Sequence, residues 1–296
     1  MATVQRGDLF SQQLVDDLIN KVKGHSSLAI LSQREPVSFN GNDIFTFTLD
    51  NEVDIVAESG AKSEGGATVG KTKMVPIKVE YSARFSDEFI YASEEEQIRV
   101  LQDFNDGYAK KLARGIDLMA MHGVNPRTGL ASEVIGTNYL DGLVTQTVDY
   151  NEATADDSLE DAIFLVQGAQ NQVTGLALSP SAGRDMSKIE VNGVRQYPEF
   201  RFGGNPGNLS GMGVDVNETV SAFGETQMYV GDFANLFKWG YAKEIPLQVH
   251  TAGDPDNTGR DLAGHNEILL RSETYIGWGI IDPNAFARVV KATVEG

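Results

Sequence analysis

Cysteine is absent from the 296 residues, which excludes disulfide frameworks, thiolate metal sites and cysteine nucleophiles together. No apolar run approaches the roughly 18 residues of a membrane-crossing helix, so no membrane partner is expected. The first residues, Met1-Ala2-Thr3-Val4-Gln5-Arg6, lack the apolar core of a secretory signal, and synthesis in the cytoplasm is the expectation. Histidine is sparse: His25, His122, His250 and His265 stand in unrelated contexts without ligand spacing. No Gly-x-Ser-x-Gly elbow offers a serine nucleophile, and no pair of carboxylates is marked by contrasting surroundings. The chain therefore reads as a non-enzyme, with no catalytic residue and no cofactor. Basic residues number 24 against 42 acidic ones, a net charge of −18. Such a chain lacks the basic footprint of a DNA-gripping protein. The charge serves solubility and discourages premature association, or it forms a surface that faces packed nucleic acid without sticking to it.

What is present centres on the stretch from Glu58 to Gly123. Val75, Ile77, Val79, Tyr81, Ala83 and Phe85 alternate with Pro76, Lys78, Glu80, Ser82 and Arg84, the period of a half-buried strand. Pro76 has no ladder donor, so the strand belongs at a sheet edge or where pairing lapses. Ser93 with Glu94, Glu95 and Glu96 then opens a helix. Ile98, Leu101, Phe104, Tyr108, Leu112, Ile116 and Met119 give it one apolar face, and Gly123 ends it. Unbroken despite Gly107 and Gly115, it would run on the order of 40 Å at about 1.5 Å per residue, longer than a small domain is wide.

Before this stretch, Phe10, Leu14, Leu18 and Val22 form the stripe of a short helix, packed on its own domain or on a neighbour. Phe45, Phe47 and Leu49 alternate with Ile44, Thr46 and Thr48, and Val53 to Ala57 extends the pattern. Paired with the strand from Val75, this makes a long hairpin with its tip at Glu58–Thr72. Such a ribbon is marginal alone in water and must lie on something. Gly65, Gly70, Lys71 and Thr72 fit the G-x-x-x-x-G-K-[ST] phosphate loop. A strand rather than a helix follows, so the backbone amides that cradle phosphate are missing and the match is read as accidental.

Further on, a composition shift at Asp149–Asp157 marks a boundary. Ser158 with Asp161 caps a second helix through Leu159, Ile163, Val166, Ala169 and Val173, closed by Gly175. Leu176-Ala177-Leu178 is a buried strand, a short helix follows Pro180, and Tyr197–Gly213 reads as a long surface loop. Strands recur from Val214, and Glu267–Ile281 reads as a strand pair. Asp254, Asp256, Asn257 and Asp261 share one turn and are weak calcium-ligand candidates; no glutamate closes the loop, so an exposed acidic turn is the better account.

Several short pieces in order carry a resemblance across nearly the whole chain. They are Ala57-Glu58-Ser59-Gly60, Pro76 to Phe85, the Ser86-Asp87-Glu88-Phe89 turn with its long helix, and Asn125-Pro126-Arg127-Thr128-Gly129-Leu130. Gly231-Asp232-Phe233, Arg271-Ser272-Glu273 and Asp282-Pro283-Asn284-Ala285-Phe286 complete the series. The chain resembles the major capsid proteins of tailed bacteriophages, with the Hong Kong 97-type α+β fold. The resemblance implies an N-terminal arm (1–36), an extended hairpin loop (37–92), a peripheral domain with a spine helix (93–150 and 240–275) and an axial domain (151–239 and 276–296). It implies self-assembly into hexamers and pentamers of an icosahedral virion shell around double-stranded DNA, built in the cytoplasm of a bacterial host. Portal and possible decoration proteins would be partners. Met1 leads almost directly into the arm, which favours a separate scaffolding protein. Phe10, Leu14, Leu18, Glu58, Lys62, Lys71, Lys73, Arg84, Asp256 and Arg260 are the candidate inter-subunit contacts, without a covalent lysine crosslink. An encapsulin nanocompartment on the same fold is the alternative, and a P-loop nucleotide hydrolase a distant third.

Overall fold

The structure, a computed structural model, describes residues 26–49, 51–88 and 94–292. The amphipathic stripe of Phe10, Leu14 and Leu18, and the Ser93 cap, lie outside these residues.

In chain order the first strands are β1 (Gln33–Arg34), β2 (Asn42–Leu49), β3 (Ala67–Met74) and β4 (Ile77–Ser86). The long helix follows as one piece, Glu94–His122. Its 29 residues span about 44 Å at about 1.5 Å per residue. Leu101, Phe104, Tyr108, Leu112, Ile116 and Met119 are buried as their spacing requires, while Ile98 in the outer turns stays exposed. Gly123 ends the helix at φ +70°, and a Cβ there would come within 2.6 Å of the Tyr139 ring, so only glycine fits.

Beyond it come β5 (Thr147–Asp149), the helix Ala155–Gly168, β6 (Gly175–Leu178) and the helix Pro180–Met186. The small ribbon β7 (Glu190–Val191) and β8 (Val194–Arg195) leads to β9 (Asn208–Leu209), β10 (Met212–Val216) and β11 (Thr226–Gly231). Then follow β12 (Phe237–His250), β13 (Glu267–Ile280) and β14 (Phe286–Val290). Two main sheets result: a four-stranded one ordered β1-β12-β13-β4, and a six-stranded one ordered β5-β14-β11-β6-β10-β9. The mixture of helix and sheet matches the expected α+β class.

Burial explains the arrangement. β6 and β11 are buried along their whole length, as suits central strands with helices on one face and the rest of the body on the other. Leu159, Ala162 and Val166 of the helix Ala155–Gly168 pack there with Leu176, Leu178, Met228 and Val230. A larger core joins the two sheets through the second half of the long helix: Leu112, Ile116 and Met119 meet Tyr229, Trp239, Trp278 and Phe286. A third cluster, Leu101 and Phe104 with Leu247, Ile268 and Leu270, seats the middle of the helix on the far end of the four-stranded sheet.

Several sequence expectations change. Val53 to Ala57, expected to extend the strand, lies outside any strand, and the second helix ends at Gly168 rather than running to Gly175. The strand partner of Asn42–Leu49 is Ala67–Met74, with Asn42 opposite Met74 and Leu49 opposite Ala67; the strand from Ile77 instead pairs with Glu267–Ile280. The segment expected to be a strand pair is a single strand of 14 residues, Glu267–Ile280. The second helix begins a turn earlier, after Thr154, and Ser158 sits inside it, its Oγ accepting from the Asn151 amide. Pro76 falls in the break between β3 and β4, where pairing lapses as its missing donor requires, and β4 beyond it is an edge strand.

Candidate functional site

The feature that fits no folded interior is the β2–β3 hairpin. Its register places Phe45 opposite Lys71, Phe47 opposite Val69 and Leu49 opposite Ala67, so one face of the ribbon carries a continuous apolar row. Among the described residues nothing covers that row: Phe47 is 68% and Leu49 70% exposed. Lys71 pairs with Asp43 at 2.9 Å and lies 5.8 Å from the Phe45 ring centroid, so it is used within the ribbon. Residues Ala67–Thr72 of the phosphate-loop match are strand, and no helix N-terminus follows them, which agrees with the accidental reading. Glu58, Lys62 and Lys73 are exposed. The ribbon is anchored at its root, where Met74 is fully buried against Gly279 and Phe39 packs on Tyr275 at 5.0 Å.

Arg84 organises a second cluster. Its guanidinium donates to Asp254 (2.8 Å), Glu267 (2.9 Å), Asp256 (2.9 Å from Nε) and Thr258 (2.6 Å), and to the Arg260 carbonyl (3.1 Å). The hydrogen bond from Arg84 holds the Asp256 carboxyl down at about 2, and the Asp256 and Glu267 carboxylates push Arg84 above its ordinary value. Arg260 is tied to Glu267 at 2.6 Å. Asp261 accepts from the amides of Gly253 and Gly264. The candidate calcium turn is therefore an arginine-filled loop, and no metal-type cluster occurs among the described residues. Arg84 and Asp256, chosen as contacts with a neighbour, meet each other inside the subunit.

Two buried clusters escaped the sequence reading. Asp117, fully buried on the long helix, accepts five hydrogen bonds: from Ser26 Oγ (2.5 Å), the amides of Ser27 (3.0 Å) and Leu28 (3.2 Å), Thr219 Oγ1 (2.8 Å) and Asn217 Nδ2 (3.4 Å). Burial pushes its carboxyl up to about 6 against the pull of these donors. Ser27 Oγ bonds Asp215 as well, at 2.5 Å, so the segment entering the body is fixed between two carboxylates. The signal was a lone acid in the otherwise apolar run from Ile116 to Met121.

The other cluster joins His122, Asp141, Tyr229 and Arg288. His122 Nε2 donates to the Thr219 carbonyl at 2.8 Å while Nδ1 meets Asp141 at 2.7 Å. Burial pushes the Asp141 carboxyl up, but His122, the Tyr229 hydroxyl and Arg288 outweigh it and hold the group below its ordinary value. Both clusters join the long helix to the six-stranded sheet and its loops.

The sequence profile of the Phage capsid family matches residues 6–291. No curated protein sequence matches the chain. Among solved structures, a chain from Mycobacterium phage Ogopogo is 33% identical with a TM-score of 0.78, covering 90% of this chain and 92% of that one. A chain from Gordonia phage Cozz is 24% identical with a TM-score of 0.75, covering 90% and 87%. The same fold, at 15% identity and a TM-score of 0.62, recurs in the capsid of an empty GTA particle, with 91% and 90% covered.

Proposed function

The chain belongs to the phage capsid family, whose members form shells, and from that premise we propose that it is the major capsid protein of a tailed bacteriophage. In this reading hexamers and pentamers of the one subunit close an icosahedral shell around double-stranded DNA in the cytoplasm of the bacterial host. A separate scaffolding protein, a portal and decoration proteins are its partners. Residues 1–36 act as the arm and 37–92 as the extended loop. Residues 93–150 with 240–275 form the peripheral domain, and 151–239 with 276–296 the axial domain.

The observation that carries the proposal is the uncovered hairpin. A ribbon with Phe45, Phe47, Leu49 and Val69 all exposed on one face gains roughly 1.5–3 kcal/mol for each such side chain fully buried, and a neighbouring copy of the chain in a symmetric shell supplies that cover at every subunit. Phe10, Leu14, Leu18, Glu58, Lys62 and Lys73 are proposed to add contacts on the same principle. The net charge of −18 suits an interior wall that confines DNA without binding it.

Negative-stain electron microscopy with light scattering on the purified protein tests this. Closed particles, or rings of five and six, are the expected result. A stable monomer or dimer, across salt conditions and with scaffolding protein added, would refute it.

A further inference from the structure

The four-stranded sheet ends on one side in β4, and that edge is open. Its register with β13 runs without a break from Ile77 opposite Ile276 to Ser86 opposite Glu267. Among the described residues, no backbone hydrogen bond joins residues 79–82 to anything but β13. The other edge is guarded: β1 covers Lys238 and Trp239, and β12 carries two register irregularities beyond them. Folded proteins commonly blunt a regular edge in some such way; β4 has no irregularity.

A cleft of about 440 Å³ runs along this edge, between β4, the long helix and the loop at Asn125–Arg127. Residues 79–82 all line it. Successive side chains of a strand point to opposite faces, so four in a row border one cleft only where it meets the strand edge-on. Lys111, Arg114 and Arg127 bring three cations to it. The carboxylate that lines it, Glu80, faces Arg271 at 3.8 Å, and Arg114 pairs with Glu218. Lys111 and Arg127 are exposed and, among the described residues, make no ion pair.

The ligand these features fit is an extended peptide. Outward N–H and C=O groups of an edge strand pair with another peptide backbone; nucleic acid offers phosphates to the cations but no such ladder. The helix and the loop wall the edge in, so a slender chain suits it better than the rim of a second folded body. The unpaired cations select carboxylates on that chain. The protein's own segments fit less well. Residues 1–25 balance Asp8, Asp16 and Asp17 against Arg6, Lys21 and Lys23. Residues 51–66 are acidic but closed into a loop, with the Gly66 amide donating to Asn51 at 3.0 Å.

We propose that β4 and this cleft bind an extended acidic segment of a different protein, which adds to the sheet as a further strand beside residues 79–82. The inference goes beyond the shell reading and stands on the subunit alone, so neither falls with the other.

The probe is a short blocked peptide of alternating glutamate and valine, labelled and followed by fluorescence anisotropy on unassembled subunits of the whole chain. Saturable binding is expected. Lys111→Glu with Arg127→Glu should weaken it roughly tenfold or more, as should replacing every glutamate of the peptide with lysine. The lysine peptide should then prefer the reversed cleft, a gain that a misfolded variant could not give. Methylating the backbone nitrogens of the glutamate peptide should abolish binding, because they no longer donate to β4. No binding of the glutamate peptide, equal binding of its methylated form, or unchanged affinity in the reversed cleft would each overturn the proposal. Tighter binding of a duplex oligonucleotide to the same cations would overturn it in favour of nucleic acid. Self-association of subunits that the peptide reverses would overturn it in favour of a second copy.

Discussion

Replacing Asp117 with asparagine separates two opposing forces on one buried carboxylate. At pH 7 the ionised group accepts all five donors. An asparagine keeps one oxygen, and its NH2 must face either Leu28 N with Ser26 Oγ or Ser27 N with Thr219 Oγ1. Hydroxyls can turn to accept; a backbone N–H cannot. One buried amide is then left without a partner, a loss of about 1–3 kcal/mol. The pH dependence adds a second handle. The folded value of about 6 lies above the ordinary 3.8, so the folded state holds the proton more tightly than the unfolded chain. Stability from this group is fully present below pH ~4 and lost as pH rises through about 6. That separation corresponds to about 3 kcal/mol at roughly 1.36 kcal/mol for each tenfold change in proton affinity. The asparagine side chain does not titrate, so the difference between wild type and Asp117→Asn, measured by urea unfolding of unassembled subunits, should grow as pH falls from 7 to 4. A difference that shrinks on acidification would show that the five donors outweigh burial and would refute the reasoning.

Two further perturbations separate folding from assembly. Phe47→Asp, on the exposed hairpin face, should change subunit stability by less than about 0.5 kcal/mol while abolishing particles in electron microscopy; particles of normal yield would mean that this face stays uncovered in the shell. Arg84→Gln should release the turn at Asp254–Asp261, seen as faster limited proteolysis there. Because Asp256 is held at about 2, its share of wild-type stability is present above pH ~4 and lost only as pH falls through about 2. Proteolysis at wild-type rates in Arg84→Gln would show that the backbone amides donating to Asp254 and Asp261 hold the turn unaided.

Local periodicity made the long helix legible to within a residue, because seven apolar positions on one face and a terminal glycine all agree. The hairpin was half legible. Alternation in Ile44–Leu49 identified a strand, but its partner depends on where the turn falls, and the Val75–Pro76 break was read as strand interior. The same limit merged β3 into the tip. The clusters at Arg84 and Asp117 were out of reach for a different reason: they join groups 91 to 188 residues apart in sequence, and no local spacing encodes such a meeting. Asp254 and Asp256 looked like ligands because carboxylates crowd one turn; the cation they hold came from a strand 170 residues earlier.

The break at Val75–Pro76 has a mechanical consequence. β3 belongs to the hairpin and β4 to the four-stranded sheet, so no continuous ladder stiffens the joint between them. The body, by contrast, is braced by one core that spans both sheets. The ribbon is held to the body instead by side-chain packing, Met74 against Gly279 and Phe39 on Tyr275. Its seat therefore depends on a few apolar contacts at the root, where a ladder would have spread the same load over many backbone bonds.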